Sequence, residues 1–214
     1  MKPKFAVLFD NDGVVLNTEP QYDLFWNEQG KIFHPELPGF ASYLKGFSLE
    51  KTLEVYFKDN EEDRITIVKR LYEFEDNMKF DYLPGAIELF QVLYEHNIPM
   101  ALVTSSNDIK MEKILRVHPE FKKYFKAIVT SDKVTKTKPS PECYLFGARE
   151  LGVDPSNCFV FEDSLAGIEA GKSAGCFVIG LATTNSREKI EPFADTVIKD
   201  LSEASYSFLI DLHQ

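Results

Sequence analysis

Six short runs of apolar, β-branched and aromatic residues constrain the fold of this chain more than any other feature. Each run is apolar throughout rather than alternating, which is typical of strands buried on both faces of a parallel sheet. Helical patterns alternate with the later runs, and one helix is predicted to begin after Ser140-Pro141 and to end at Gly152. The pattern therefore predicts an α/β fold with an open parallel sheet flanked by helices. The predicted strands are residues 4–10, 99–105, 127–130, 158–163, 176–181 and, with a weaker pattern, 196–198.

Residues 17–82 lack such runs and carry aromatic and charged residues at helical spacing, as in LEKTLEVYF. The pair Pro84-Gly85 marks the return to alternating strands and helices. We therefore predict a small helical cap domain at 17–82, inserted into a core formed by 1–16 and 83–214. The aromatic side chains of the cap are expected to form its own core, because their spacing is that of a helical bundle. They are Tyr22, Phe25, Trp26, Phe33, Phe40, Tyr43 and Phe47.

The composition excludes several kinds of partner. The 24 basic and 34 acidic residues give a net charge of -10 without a Lys/Arg-rich run, so a nucleic-acid partner is not expected. The N-terminal apolar run is too short for a signal peptide, and no segment approaches transmembrane length, so no membrane partner is expected either. The 3 cysteines have neither metal-site nor disulfide-framework spacing. We expect a cytoplasmic monomer.

Polar and acidic residues stand where three of the predicted strands end. Open α/β sheets bind ligands outside the carboxyl ends of their strands, so these residues are expected to lie close together. They are Asp10 and Asp12 after the first run, Thr104 and Ser105 after the second, and Glu162 and Asp163 after a later one.

The stretch FDNDGVVLN, residues 9–17, permits more than one interpretation. A calcium loop would need oxygen, glycine and glutamate at positions occupied by Val14, Val15 and Gln21, so the spacing argues against calcium. A plain surface turn stays possible, because Asn, Asp and Gly are common turn residues. In a functional site, the side chain of Asn11 is expected to point away from the two aspartates.

The strand-end residues suit phosphoryl transfer. A carboxylate such as Asp10 can attack phosphorus, and Asp12, two residues further along the chain, can serve as general acid and base. Mg²⁺ takes hard oxygen ligands, which Asp10 and Asp163 can supply. The Thr104 hydroxyl and the Ser105 backbone amide can donate to the transferring oxygens. Lys138, in KTKPSPECY, is by itself most simply read as a solvated surface lysine.

Four segments together resemble the haloacid dehalogenase-like superfamily of phosphohydrolases. FDNDGVVLN resembles its first motif, ALVTSS its second, KPSPE its third and FVFEDSLAGIEAGKSAG its fourth, in that order along the chain. The resemblance implies a Rossmann-like core, a Mg²⁺ cofactor and a small phosphorylated substrate. It implies that Asp10 is the nucleophile and that Asp12 is the acid/base, with a main-chain carbonyl that also binds Mg²⁺.

The later motifs supply the remaining implied roles. Thr104 and Ser105 resemble the phosphate-binding residues of the second motif, and Lys138 resembles the charge-neutralising lysine of the third. Asp163 resembles the metal ligand of the fourth motif, with Glu162 near the metal in its outer shell. The small residues of the fourth motif are assigned to packing of a helix on the sheet.

The closest resemblance within the superfamily is to the β-phosphoglucomutase-like subfamily. Thr18, Lys45 and Gly46 are similar to its cap pattern, and with Tyr22 they are the candidate substrate contacts in the cap. Tyr22 stands where the mutase pattern has His, and Leu49 stands where it has Arg. A mutase must grip a second phosphate, which an Arg does better than a Lys.

These observations favour a Mg²⁺-dependent phosphatase that acts on a small phosphorylated metabolite, with a sugar phosphate as the first choice. β-Phosphoglucomutase is the alternative. A phosphonate hydrolase that forms a Schiff base on Lys45 or Lys51, and a non-catalytic metal or phosphometabolite binder, are lesser alternatives. Haloacid dehalogenation is disfavoured by Asp12, because the dehalogenating members of the superfamily lack the second Asp.

Overall fold

The computed structural model describes residues 5–45 and 47–213. The chain divides into two compact units, one formed by Met1–Asn17 with Asp81–Gln214 and the other by Thr18–Phe80. The first unit contains the six described strands and seven of the described α-helices, and the second is helical.

The first unit is built on a six-stranded parallel sheet with strand order β3-β2-β1-β4-β5-β6. Each strand falls within or overlaps a run predicted from the sequence, and the predicted α/β fold with helices beside a parallel sheet is confirmed. The strands are β1 (Ala6–Phe9), β2 (Met100–Val103), β3 (Phe125–Val129), β4 (Cys158–Glu162), β5 (Phe177–Leu181) and β6 (Thr196–Ile198).

The strand order reverses direction at β1. From β1 the chain runs outward through β2 and β3 on one side, and it returns to β4, β5 and β6 on the other. Phe9, the last residue of β1, pairs with Leu102 of β2 and with Phe161 of β4, so these three strands end at nearly the same level. Such a switch point at the carboxyl ends of the strands is where open α/β sheets bind ligands.

Helices beside the sheet bury its apolar side chains. One buried cluster contains Leu8 of β1, Val103 of β2, Val160 of β4 and Tyr144 of a helix that packs on the sheet. The helix predicted after Ser140-Pro141 is present and ends at Gly152, which adopts φ 71°. The helices of this unit are α5 (Ala86–Glu95), α6 (Asp108–Val117), α7 (Phe121–Tyr124), α8 (Glu142–Leu151), α9 (Leu165–Ser173), α10 (Arg187–Ile190) and α11 (Tyr206–Leu212).

The second unit has a separate core. Phe25 and Phe40 are buried in a cluster with Leu53 and Ile67, as expected for a helical bundle. The expectation is wrong for Tyr43 and Phe47, which are 45% and 41% exposed. Its helices are α1 (Glu19–Phe33), α2 (Ala41–Leu44), α3 (Leu49–Tyr56) and α4 (Glu61–Asp76).

Candidate active site

The candidate residues of the first unit follow the three central strands of the sheet. Asp10 comes directly after β1, Thr104 directly after β2, and Glu162 ends β4 with Asp163 next to it. The Asp10 backbone N–H donates to the Phe161 carbonyl at 3.0 Å, which continues the strand pairing up to the site. The fold therefore brings these side chains to the same edge of the sheet.

The loop after β1 is a tight turn held by its own backbone. The carbonyl of Asn11 accepts the N–H groups of Val15 and Leu16, each at 2.9 Å. Gly13 adopts φ 79°, in the left-handed region that favours glycine. A Cβ atom at Gly13 would lie 2.1 Å from Asp163 Oδ2. The turn is thus part of the acidic site, because its glycine leaves room for a carboxylate from another strand.

Lys138 is a buried cation between two carboxylates. Its Nζ lies 2.6 Å from Asp10 Oδ1 and 2.6 Å from Glu162 Oε1, and it donates to the Val103 carbonyl at 3.2 Å. Its ammonium also stands 5.0 Å from the centre of the Tyr144 ring. The side chain is only 7% exposed. The simplest interpretation of this lysine in isolation, a solvated surface residue, is therefore wrong.

Burial and charge together set the proton affinities of this pair. Burial raises the pKa of Asp10 to about 7, with Lys138 acting in the opposite direction and Glu162 adding to the rise. Burial disfavours the charged form of Lys138, but the carboxylates of Asp10 and Glu162 outweigh it and raise the pKa of Lys138 above its usual range. The site holds excess negative charge that one buried lysine does not fully offset.

Glu162 is completely buried and accepts hydrogen bonds on both carboxylate oxygens. Oε1 accepts from Lys138 Nζ at 2.6 Å and from the Tyr144 hydroxyl at 2.8 Å. Oε2 accepts from the backbone N–H groups of Asp163 and Ser164, each at 3.1 Å, and from Ser164 Oγ at 3.0 Å. A carboxylate bound by so many donors is suited to orienting its neighbours rather than to binding a metal directly.

Three buried carboxylates form a cluster that can hold a metal ion. Asp10, Glu162 and Asp163 each offer an oxygen atom, and these atoms all lie within 4.8 Å of one another. Thr184 Oγ1 is buried and has no hydrogen-bond partner among the described residues. It lies next to Gly13, because a Cβ atom built on that glycine would be 2.6 Å from it. Oxygen atoms of this kind are the ligands that Mg²⁺ prefers. The residues present therefore fit a magnesium ion.

Asp12 is held by a different set of donors. Lys110 Nζ lies 2.6 Å from Oδ1, and Ser106 Oγ donates to Oδ2 at 2.9 Å. Asn11 Nδ2 lies 3.3 Å from the same Oδ2. The expectation that Asn11 points away from both aspartates is therefore wrong for Asp12. Because a lysine occupies the carboxylate, a metal contact from Asp12 is better supplied by its main-chain carbonyl.

Thr104 and Ser105 begin the loop after β2. Thr104 is buried, its backbone N–H donates to the Val129 carbonyl at 2.8 Å, and its Oγ1 accepts the Ser106 N–H at 2.9 Å. Ser105 is exposed next to it. The Thr104 hydroxyl accepts a hydrogen bond from Ser106, so its own O–H group is free to donate a hydrogen bond to a ligand.

Comparison with known proteins identifies the family. A model described as haloacid dehalogenase-like hydrolase matches residues 6–175, which include all four motifs. The chain belongs to this family. The resemblance read from the sequence, and the prediction of an enzyme of this kind, are confirmed.

Relatives of this haloacid dehalogenase-like hydrolase include proteins with different activities. A bifunctional riboflavin kinase/FMN phosphatase of Arabidopsis thaliana is 33% identical over 211 residues, with 92% of this chain covered; the chain spans about half, 53%, of that relative's length. The β-phosphoglucomutase of Bacillus subtilis is 32% identical over 220 residues, which cover 95% of this chain and 93% of the mutase. The structure of a family IA, variant 3 hydrolase from Entamoeba histolytica superimposes with a TM-score of 0.84 at 26% identity, over 98% of this chain and 99% of that one.

The cap residues proposed from the subfamily resemblance have partners inside the second unit. Thr18 is buried before α1, and its carbonyl accepts the backbone N–H groups of Gln21 and Tyr22. The Tyr22 hydroxyl donates to Glu75 Oε1 at 2.8 Å. Gly46 lies outside the described residues. A hydroxyl already bonded to a carboxylate is a poor replacement for the histidine of the mutase pattern.

Lys45 is paired with two acidic residues of α1. Its Nζ lies 3.0 Å from Glu19 Oε2 and 2.6 Å from Asp23 Oδ1. Burial acts to lower the pKa of Lys45, but the two carboxylates outweigh it and raise the pKa above its ordinary value. The positive charge of Lys45 is therefore already neutralised within the second unit.

Lys110 and Ser106 were not predicted to be site residues, although both contact Asp12. Ser106 is the last residue of the second motif, and Lys110 lies in the first turn of α6. A cation is unfavourable in the first turn of a helix, because the helix dipole is positive there. A lysine at this unfavourable helix position, soon after the end of β2, is the feature of the sequence that could have indicated Lys110 as a site residue.

Tyr144, Asn185 and Gly167 also support the site without having been predicted to do so. Tyr144 donates to Glu162, and Asn185 Nδ2 donates to the Asp163 carbonyl at 2.9 Å. Gly167 was assigned to helix packing alone, but a Cβ atom there would lie 1.7 Å from Glu162 Oε1. The glycine therefore also makes room for the buried carboxylate.

Within the part of the chain that the structure describes, no helix combines the length and the apolar character that crossing a membrane requires.

Proposed function

We propose that this protein is a Mg²⁺-dependent phosphatase that acts through an aspartyl-phosphate on a small phosphorylated metabolite, with a sugar phosphate as the first choice. The observation that carries the proposal is the buried cluster of Asp10, Glu162 and Asp163, with Lys138 bonded to Asp10 at 2.6 Å and Asp12 two residues away. Membership of the haloacid dehalogenase-like hydrolases supports it.

In the first half of the reaction, a carboxylate oxygen of Asp10 attacks the phosphorus atom. An O–P bond to Asp10 forms and the P–O bond to the leaving group breaks, with its electron pair staying on the leaving oxygen. Asp12 donates a proton to that oxygen. In the second half, Asp12 accepts a proton from water, whose oxygen attacks the phosphorus and releases phosphate from Asp10.

Donors around Asp10 would stabilise the charge that develops on the transferring group. Lys138 lies next to Asp10, while the Thr104 hydroxyl and the Ser105 amide belong to the neighbouring strand end. Such groups act strongly in a buried site, because they need no reorganisation when the charge forms. The assignment predicts that the phosphoryl oxygens face these three residues.

The proposed magnesium ligands are Asp10, Asp163 and the main-chain carbonyl of Asp12, with Glu162 in the outer shell. When bound, Mg²⁺ would neutralise the substrate phosphate and the carboxylates, so that an anionic nucleophile can approach an anionic substrate. Glu162 would keep Lys138 and the Asp163 backbone in place through its hydrogen bonds.

Phosphate release tests the proposal. Purified protein is incubated with Mg²⁺ and a panel of hexose, pentose and polyol phosphates that includes β-glucose 1-phosphate and FMN. We expect at least one to be hydrolysed, and Asp10→Asn to reduce the rate to the background of the assay. A panel on which the wild type does not exceed Asp10→Asn would reject the proposal.

β-Phosphoglucomutase is the second candidate, and the full-length similarity to the Bacillus subtilis mutase favours it. Three observations in the second unit count against it: Leu49 in place of Arg, Tyr22 bonded to Glu75, and Lys45 neutralised by two carboxylates. A mutase would convert β-glucose 1-phosphate into glucose 6-phosphate faster than either is hydrolysed. ³¹P NMR of the reaction separates the two outcomes.

The lesser alternatives receive less support from these contacts. A Schiff base needs a neutral amine, and the carboxylates beside Lys45 favour its charged form. Trapping with borohydride and phosphonoacetaldehyde would test that activity directly. A non-catalytic binder would fail to hydrolyse any substrate and to load Asp10 with beryllofluoride. We further propose that the second unit is the cap that selects the leaving group, and that the protein is a cytoplasmic monomer.

A further inference from the structure

Lys110 is a buried ammonium group in a position that does not favour one. The residue is only 3% exposed and lies in the first turn of α6, where the helix dipole is positive. Removing a lysine from water is unfavourable unless its charge is well paired. An apolar side chain at this position would avoid both penalties but would leave the Asp12 carboxylate without its cation. The lysine is therefore explained by its partner, Asp12, rather than by its own surroundings.

The local structure presents Lys110 to Asp12 from a fixed direction. Asn107 caps α6, and its Oδ1 accepts the Lys110 backbone N–H at 2.9 Å. Lys110 Nζ then reaches Asp12 Oδ1 at 2.6 Å, across 98 positions of the sequence. Ser106, fixed by the bond from its backbone N–H to Thr104 Oγ1, donates to Asp12 Oδ2 at 2.9 Å. Donors on both oxygens, with Asn11 Nδ2 also 3.3 Å from Oδ2, define the plane of the Asp12 carboxylate.

We propose that Lys110, with Ser106, is a positioning residue that holds the Asp12 carboxyl group in the orientation needed for proton transfer to the leaving oxygen. The inference rests on the proposed function, in which Asp12 serves first as acid and then as base. Both half-reactions need the same carboxyl group at the same side of the phosphorus. A carboxylate free to rotate about its two side-chain torsions would be misplaced for much of the time, and small misplacements of a reacting group cost large factors in rate.

The dependence on the leaving group tests this role. p-Nitrophenyl phosphate releases an anion that needs no proton, whereas phenyl phosphate and glucose 6-phosphate release oxygens that do. We expect Lys110→Met to lower kcat/KM for the latter two by about tenfold to a hundredfold, which does not exceed the lower end of the roughly 100- to 10,000-fold that a positioned acid contributes. The kcat/KM for p-nitrophenyl phosphate, which reports only the steps up to phosphoryl transfer to Asp10, should fall by less than about threefold. Its kcat also reports the attack of water on the aspartyl-phosphate, where Asp12 is the base, so kcat is not the quantity compared.

Two further variants separate positioning from general damage. Lys110→Arg keeps a donor on Asp12 and should restore most of the lost rate with phenyl phosphate. Lys172→Met is the matched control, since it breaks another lysine–aspartate pair of the first unit, to Asp195 at 2.5 Å, outside the acidic site. It should leave the ratio of the rates with the two aryl phosphates unchanged. Equal losses of kcat/KM on all substrates in Lys110→Met, or no rescue by Lys110→Arg, would overturn the inference.

Crystal structures of the wild type and of Lys110→Met provide a readout that does not depend on activity. We expect the Asp12 carboxylate to have one orientation in the wild type and to rotate or to occupy several orientations in the variant. An unchanged carboxylate in Lys110→Met would reject the positioning role even if the enzyme were active. A wild type that hydrolyses none of the substrates would instead reject the proposed function, and the crystallographic comparison would still decide the role of Lys110.

Discussion

At the scale of single residues, the site depends on a few cations that neutralise buried carboxylates. Lys138 serves Asp10 and Glu162, and Lys110 serves Asp12, each through bonds of 2.6 Å. Four carboxyl groups, counting Asp163, thus share two ammonium groups. The remaining negative charge favours a divalent cation, which is why charge balance and metal binding are linked here.

Removing the positive charge of Lys138 should damage both stability and activity. Lys138→Met leaves two buried carboxylates without their cation, so we expect the free energy of unfolding, measured in urea without Mg²⁺, to fall by about 3 kcal/mol. Phosphatase activity should fall to background. Lys136→Met, an exposed lysine of the same loop, is the control. A loss below about 1 kcal/mol would contradict the buried pairing.

Gly13 permits a direct test of close approach. Gly13→Ala places a Cβ atom where Asp163 Oδ2 would be 2.1 Å away, in addition to the strain of φ 79°. Gly152→Ala meets the same kind of backbone strain, at φ 71°, but its Cβ atom has open space. We expect Gly152→Ala to cost about 1 kcal/mol and Gly13→Ala to cost more and to weaken Mg²⁺ binding, measured by calorimetry. Equal costs with unchanged metal affinity would show that the contact is unimportant.

At the scale of elements, the strands position the nucleophile and the helix starts position its helpers. Because β1, β2 and β4 end at nearly the same level, Asp10, Thr104 and Asp163 lie at the same edge of the sheet. α6 begins at a capped turn that carries Lys110, and α9 begins at Ser164, whose Oγ accepts the Gly167 N–H at 3.0 Å. Rigid elements hold reacting groups more accurately than free loops do.

The cap of α6 should therefore affect activity more than an equivalent cap elsewhere. Asn107→Ala removes the acceptor for the Lys110 N–H, and we expect a loss of about 1 kcal/mol in unfolding free energy together with a several-fold fall in kcat for phenyl phosphate. Ser205→Ala removes the corresponding acceptor from α11, a bond of 3.1 Å to Phe208. It should cost similar stability without changing kcat. Equal effects on kcat would argue against a functional role for the start of α6.

At the scale of the whole molecule, the chain carries a net charge of -10 and concentrates buried carboxylates at one edge of its sheet. A cation bound there would stabilise the folded state, because the unfolded chain has no such cluster. Because the chain forms two compact units, its unfolding can occur in more than one transition. Metal binding is expected to stabilise the unit that contains the sheet.

Magnesium should raise the thermal stability of this unit specifically. At Mg²⁺ concentrations about 100 times the dissociation constant, binding contributes about 2.7 kcal/mol, which corresponds to a rise in Tm of several degrees for a domain of about this size. Asp163→Asn should abolish the rise. NaCl at matched ionic strength is the control for general screening of the acidic chain. An equal rise in NaCl, or in Asp163→Asn, would show that no specific site exists.

The strands and much of the candidate site could be predicted from the amino-acid sequence. Continuous apolar runs indicated the strands, since strands buried on both faces have no polar side to show, and the acidic residues that follow them indicated where chemistry would be. Lys138 emerged only through the family resemblance, because a lone lysine in a loop carries no local signal of burial.

The groups that neutralise and orient these acids could not be predicted in this way, because they meet the acids only in the folded chain. The pairing of Lys110 with Asp12 joins residues 98 positions apart, and Lys138 meets Asp10 across 128. Such contacts depend on how the strand ends are brought level and on how the helices begin, not on any local pattern. Likewise, the sequence could name Tyr22 and Lys45 as cap residues, but their bonds to Glu75, Glu19 and Asp23 follow from helix packing within the second unit. Local periodicity thus fixes the elements, whereas the distances between charges exist only once those elements have packed.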